Sequence, residues 1–213
     1  MPTEKSFKLP TKRQNLFLRV TQGHFATSHS HTNYYIDVTT QKTRLAEAKA
    51  VAQELLPYYN STTMVDTILC LDGTEVIATC LAEELTYGGH VNMNAHQTIY
   101  VVTPEHTVGS QLLLRDNLVP MVAGKNVLIL AASVTTGYTA LGAIQAVNYY
   151  GGRVAGVCSI FATTDTVGGY TVRSCFDPTH LPDYASYLAH ECPYCKGGFK
   201  LDALINGHGY SKL

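Results

Sequence analysis

The run Asn126-Val-Leu-Ile-Leu-Ala-Ala-Ser-Val134 carries no charge and leads into the small polar turn Thr135-Thr-Gly-Tyr-Thr139. The helical pattern Leu141-Gly-Ala-Ile-Gln-Ala-Val-Asn-Tyr-Tyr150 follows. A near-continuous apolar stretch closed by turn residues reads as a strand buried on both faces, the condition of a parallel sheet between helical layers. A second apolar run, Arg153-Val-Ala-Gly-Val-Cys-Ser-Ile-Phe161, begins at once, so a strand–helix–strand unit is complete. The turn then lies at the carboxyl end of a strand, where open α/β sheets bind ligands. Thr135, Thr136, Gly137, Tyr138 and Thr139 offer main-chain N–H groups, hydroxyls and a helix start, a combination suited to phosphate. The plain alternative is a strand-to-helix turn with Ser and Thr as caps.

The rest of the chain supplies further units of the same kind. Residues 43–56 have the apolar spacing of an amphipathic helix ending near Pro57. Residues 64–71 read as a buried strand, and Asp72-Gly-Thr-Glu75 turns into a helix over 76–85. Strands are expected over 33–38, 97–102 and 169–176, and a turn with a short helix over 177–190. Residues up to about 14 are polar and basic and read as a loose arm or an edge-packing segment, and the first half of 23–37 reads as loop. With 213 residues, one domain with a sizeable core is expected.

Three landmarks, in order, carry a family resemblance. The segment 127–139 resembles the signature of type I phosphoribosyltransferases: an apolar strand, two acidic residues, then Thr-Thr-Gly-Gly-Thr. Thr135, Thr136, Gly137 and Thr139 match, Tyr138 stands where a second Gly is common, and Ala131 and Ala132 stand where the acids belong. Residues 23–37 are similar to the N-terminal signature of orotate phosphoribosyltransferases, with Phe25, Ser28, Tyr34, Tyr35 and Asp37 matching and Thr27, His29 and Ser30 departing. Cys192-Pro-Tyr-Cys-Lys-Gly-Gly198 is similar to the tail of longer members of that family.

The resemblance implies an α/β fold: a doubly wound parallel sheet (core about 41–176) with a small hood from about 15–40 and 177–205, together one domain. It implies that residues 135–139 hold the 5′-phosphate of a phosphoribosyl group, that Asp72, Gly73 and Thr74 form the pyrophosphate loop, and that Tyr34 and Tyr35 stack on a base or pack beneath the hood. The family's mobile loop carries cations over the pyrophosphate. Here 103–111 has only Glu105 and His106 as ionisable residues, and no Lys or Arg occurs before Arg115. A polyanionic leaving group without that clamp loses electrostatic stabilisation of the transition state. The expectation is a protein that binds a phosphorylated ribose or nucleotide, with transferase chemistry lost or altered. The rival is an active enzyme using Mg²⁺, with Asp72 or Glu75 helping to position the metal and His106 replacing the loop cation. A ligand-free interaction protein is the third reading.

Metal binding has its own candidates. His24, His29 and His31 suggest zinc or copper, since alternate residues on an extended chain share a side; three polar loop residues is the plainer reading, there being no acidic or Cys partner nearby in sequence. Cys192 and Cys195, with His190 before and His208 after, could form a zinc site or, less readily, a redox dithiol; the resemblance to the family's tail implies structural thiols instead. The remaining cysteines read as buried reduced thiols. The formal net charge of −1 and the absence of a basic cluster argue against nucleic acid. No apolar run is long enough to span a bilayer, and the N-terminus lacks a signal-peptide core, so no membrane and a cytoplasmic location are expected. The resemblance adds a homodimer.

Overall fold

The computed structural model describes residues 5–11, 16–87, 92–95, 97–107 and 111–213. The chain divides into two compact units, Gln41–Asp177 and a smaller one made of Met1–Thr40 with Pro178–Leu213. In chain order the elements begin with β1 (Lys5–Pro10), β2 (Phe17–Ala26), β3 (His31–Asp37), α1 (Thr39–Thr43), α2 (Leu45–Leu55), β4 (Thr67–Cys70), α3 (Glu75–Thr86) and β5 (Tyr100–Val102). They continue with β6 (Glu105–His106), β7 (Leu112–Leu113), β8 (Asn126–Val134), α4 (Tyr138–Tyr149), β9 (Arg153–Ala162), β10 (Thr166–Val167) and β11 (Tyr170–Phe176). The C-terminal segment adds β12 (Ser186–Tyr187), α5 (Pro193–Lys196), β13 (Ala203–Asn206) and β14 (Gly209–Lys212).

In the larger unit the sheet order is β10-β11-β9-β8-β4-β5. Every neighbouring pair is parallel except β10 with β11. Numbered by their own succession, the five parallel strands lie in the order second, first, third, fourth, fifth. This is a doubly wound arrangement, and its direction reverses between β4 and β8. The sheet is helix-covered as the apolar runs require. Val127, Ile129 and Ala131 of β8 join Ala140, Ala143, Ile144 and Val147 of α4 in one apolar cluster. Leu128, Leu130 and Ala132, on the alternate face, are equally buried. Helix α2 buries Ala48, Val51, Ala52 and Leu55, the i, i+3, i+4, i+7 stripe that its sequence predicts, and packs on α3 and β11.

The smaller unit is a six-stranded sheet in the order β12-β3-β2-β13-β14, with β1 paired to β2. It corrects two expectations, the loop after Gly23 and the helix over 177–190, and gives the polar arm its edge-packing form. The polar arm contains β1, antiparallel to β2 from Lys5↔Gln22 to Pro10↔Phe17; residues 1–4 and 12–15 lie outside the described residues. The segment expected as loop after Gly23 is the end of β2. No helix forms over 177–190, where Leu181 and Tyr184 make turn hydrogen bonds to Pro178 and Leu181 and β12 follows; Pro178 and Pro182 each remove a donor a helix would need. The C-terminus forms an unforeseen hairpin, β13–β14. The six cysteines form no disulfide, and burial pushes the Cys70 thiol up to about 12. No helix among the described residues is long and apolar enough to cross a membrane.

Replacing Leu130 by Ala removes a fully buried side chain from the central strand and is expected to cost about 2–5 kcal/mol. Urea unfolding followed by circular dichroism measures it; a loss below about 1 kcal/mol would mean that β8 is not the packed centre of its unit.

Candidate functional site

The loop after β8 is tied to the residue that follows β9. Thr163 N–H donates to Val134 O at 2.9 Å and its hydroxyl donates to Thr135 O at 3.0 Å, which fixes where the chain leaves the sheet. Gly137 then turns the chain into α4 with φ +79°, and Leu141 N–H donates to Gly137 O at 2.8 Å as the first helical bond. Glycine is required there twice over. A side chain would sit in the left-handed region, and its Cβ would lie 2.9 Å from Val167 Cγ2. The first turn of the twelve-residue α4 presents N–H groups to which the helix supplies no carbonyl, at the positive end of its dipole. Thr136, Tyr138 and Thr139 are exposed, Tyr138 at 64%, so the hydroxyl-rich rim faces solvent.

The loop after β4 lies across the point where the sheet order reverses. Leu71 N–H donates to Leu130 O at 2.8 Å, continuing the β4–β8 ladder. Asp72 and Gly73 follow in consecutive left-handed conformations, φ +58° and +78°. Thr74 is fully buried, and its hydroxyl donates toward Leu71 O and Leu130 O at 2.9 and 3.1 Å. Thr74 therefore ties the loop to the central strand with its side chain, leaving Asp72 and Gly73 as the more open part. Glu75 accepts from the Thr103 hydroxyl at 3.0 Å.

One residue here was not foreseen. Lys42, only 7% exposed, donates from Nζ to Asp72 O at 2.7 Å. It brings a positive charge to the loop after β4 from a short helix thirty residues earlier. No periodicity or motif singles it out; only the tertiary fold does.

Among the remaining candidates, Glu105 and His106 form β6, paired antiparallel with β7. Arg115 closes back on Glu105 through two bonds, Nε–Oε1 at 3.0 Å and Nη2–Oε2 at 2.6 Å. Arg115 holds the Glu105 carboxyl below the usual carboxylate range. The first cation after the loop is thus matched by the loop's own acid, while His106 is exposed; residues 108–110 of the loop lie outside the described residues. Tyr34 and Tyr35 are both 6% exposed. Tyr34 meets Phe7 edge-on, and Tyr35 packs with Phe25, Ala203 and Tyr210. Burial pushes the Tyr35 hydroxyl up to about 12. Cys192 and Cys195 come together with His24 and His31. His29 lies in the turn between β2 and β3, and His190 pairs with Glu191 at 3.5 Å.

No protein-family model and no curated protein sequence matches the chain. Solved structures do. The orotate phosphoribosyltransferase of Mycobacterium tuberculosis H37Rv is similar over 77% of this chain and 92% of its own, at 19% identity and a TM-score of 0.54. The adenine phosphoribosyltransferase of Trypanosoma brucei, solved with AMP, pyrophosphate and ribose-5-phosphate, is similar over 83% of this chain and 90% of its own, at 13% identity and a TM-score of 0.52. Leishmania donovani UMP synthase is similar over 76% of this chain but only 34% of its own, at 21% identity and a TM-score of 0.54. The chain has a type I phosphoribosyltransferase-like fold.

Gly137→Ala is expected to destabilise the larger unit by about 1–2 kcal/mol from the left-handed backbone alone, with the Val167 contact adding to it. Thermal unfolding reads this as a lowered Tm; an unchanged Tm would mean that the loop relaxes without cost.

Proposed function

We propose that this protein binds a phosphorylated ribose or nucleotide at the loop formed by Thr135, Thr136, Gly137, Tyr138 and Thr139, and that its transferase chemistry is lost or altered. The observation that carries the reading is the exposed start of α4 at the carboxyl end of β8, beside the point where the sheet order reverses. Such a position combines main-chain donors, hydroxyls and a helix dipole for one anion.

The second half of the proposal comes from what surrounds the loop. Ala131 and Ala132 are each 1% exposed, so methyl groups built into the core stand where the resemblance places ribose-binding acids. No group of three metal-ligating side chains among the described residues gathers at the loops after β4 and β8. A Mg²⁺ carried in by a phosphorylated substrate needs only one or two carboxylates, and Asp72 or Glu75 at the loop after β4 would be the ones to hold it. The Arg115 guanidinium is engaged by Glu105, so the hairpin offers little net charge to a departing pyrophosphate. Each missing donor at such a centre costs on the order of a hundredfold or more in rate.

One observation favours the rival reading of an active transferase: the Lys42 ammonium beside the Asp72–Gly73 turn is a cation where a pyrophosphate would lie. Two measurements on the full chain separate the readings. Calorimetry with ribose 5-phosphate is expected to show binding, weakened at least about tenfold by Gly137→Ala. Incubation of phosphoribosyl pyrophosphate with orotate or adenine is expected to release no pyrophosphate. Release that disappears in His106→Ala or Lys42→Ala would establish the active enzyme instead. Absence of affinity for any phosphate compound would favour an interaction protein. The expected homodimer is checked by light scattering, where a monomer mass would contradict it.

A further inference from the structure

We propose that His24, His31, Cys192 and Cys195 form a tetrahedral zinc site that fastens the C-terminal segment to the β2–β3 hairpin. The proposal concerns the smaller unit alone and is independent of the anion loop.

The four ligand atoms lie within 4.8 Å of one another. His24 Nε2 is 3.4 Å from Cys192 Sγ, 3.6 Å from Cys195 Sγ and 3.2 Å from His31 Nδ1, and His31 Nδ1 is 3.3 Å from Cys195 Sγ. A zinc ion with ordinary Zn–S and Zn–N bonds sets tetrahedral edges of about 3.3 Å between nitrogens and about 3.5 Å between nitrogen and sulfur. The four separations follow those edges. A set of two thiolates and two imidazoles in this arrangement suits zinc, and four protein ligands leave no open position, so the role is structural.

The surroundings orient the ligands. In β2 the register shifts between Gln22 and Phe25, so Gly23 and His24 oppose a single residue of β3 and the strand bulges. The bulge is clamped by Asp202: its Oδ2 accepts from His24 N–H at 2.7 Å, and its own N–H donates to His24 O at 2.8 Å. A Cβ at Gly23 would lie 2.7 Å from the Phe25 ring and 2.8 Å from Asp202 Oδ2, so a side chain there would disturb the clamp. His24 Nδ1 lies 3.2 Å from Lys200 O. With the proton on Nδ1, that bond leaves the Nε2 lone pair facing the two sulfurs, the outer-shell arrangement that fixes a ligating imidazole. Tyr194 stacks on the His24 ring at 5.2 Å. Cys192 caps the short helix α5, and Lys196 N–H donates to Cys192 O at 3.1 Å, which folds the Cys-x-x-Cys into one turn. A hydrogen-bonded network is a poorer account. His24 Nε2 faces three polar atoms at once, and one lone pair satisfies only one donor, whereas a metal engages all four ligands. Binding takes up Zn²⁺ and releases both thiol protons, leaving the site neutral.

The test uses the full chain purified without chelator. Elemental analysis is expected to find about one zinc per chain. Cys195→Ser and His31→Ala are each expected to lower occupancy at least about tenfold, while His29→Ala and His190→Ala keep it. Should the variants fail to fold, chelator-stripped wild type refilled with Co²⁺ provides the second readout. Thiolate-to-cobalt charge transfer with the intense visible bands of a tetrahedral ion supports the site. Folded protein without metal, a Cys192–Cys195 disulfide in the purified chain, full zinc in Cys195→Ser and His31→Ala, or a weak octahedral cobalt spectrum would each overturn it.

Discussion

The larger unit depends on the burial of β8 on both faces. Its main-chain groups are consumed by β4 on one side and β9 on the other, and its side chains are enclosed by apolar neighbours. Little of such a strand can meet solvent except its ends. Because the sheet is parallel, the carboxyl end is followed by a helix start, whose first N–H groups receive no carbonyl from the helix itself. Because the order reverses between β4 and β8, the loops after those strands flank the position at which open α/β sheets take their ligands. Thr74 and Leu71, both bonded to Leu130 O, carry this geometry from the strand into the second loop.

The same burial underlies the proposal that transferase chemistry is lost or altered. A carboxylate at position 131 or 132 must be exposed or paired to remain ionised. This chain instead places small methyl groups there and packs them away. The conformation of the loop after β8 is a property of the backbone and of Gly137, not of the side chains at 131 and 132. Charge at the loops is a property of individual side chains: Glu105 and Arg115 engage each other, and Lys42 reaches the loop after β4 from another helix.

How much was legible follows from the range of the interactions. Strand β8, helices α2 and α4 and the loop at Gly137 rest on local periodicity and turn chemistry, and the sequence displays both. The smaller unit rests on pairings across long separations. Strand β1 is largely exposed and alternates only at Phe7 and Leu9, while β14 keeps Tyr210 half exposed. Neither leaves a periodic signature. The cysteine–histidine cluster shows the limit most sharply. His24 and His31 seemed to lack soft partners because none is near in sequence; the fold supplies them from 168 and 164 residues away. The histidines nearest the cysteines, His190 among them, take no part. Lys42 leaves no local signal for the same reason, and the residue type of Thr74 does not tell that its hydroxyl is spent on main-chain carbonyls.

The central claim is that the main chain after β8 grips an anion. Its most direct measurement is a crystal structure of the protein grown in phosphate or sulfate. The account predicts an anion bound by the main-chain N–H groups at the start of α4 and by the Thr136 or Thr139 hydroxyl. A loop folded shut over β8, or an empty loop beside anions bound elsewhere, would contradict it.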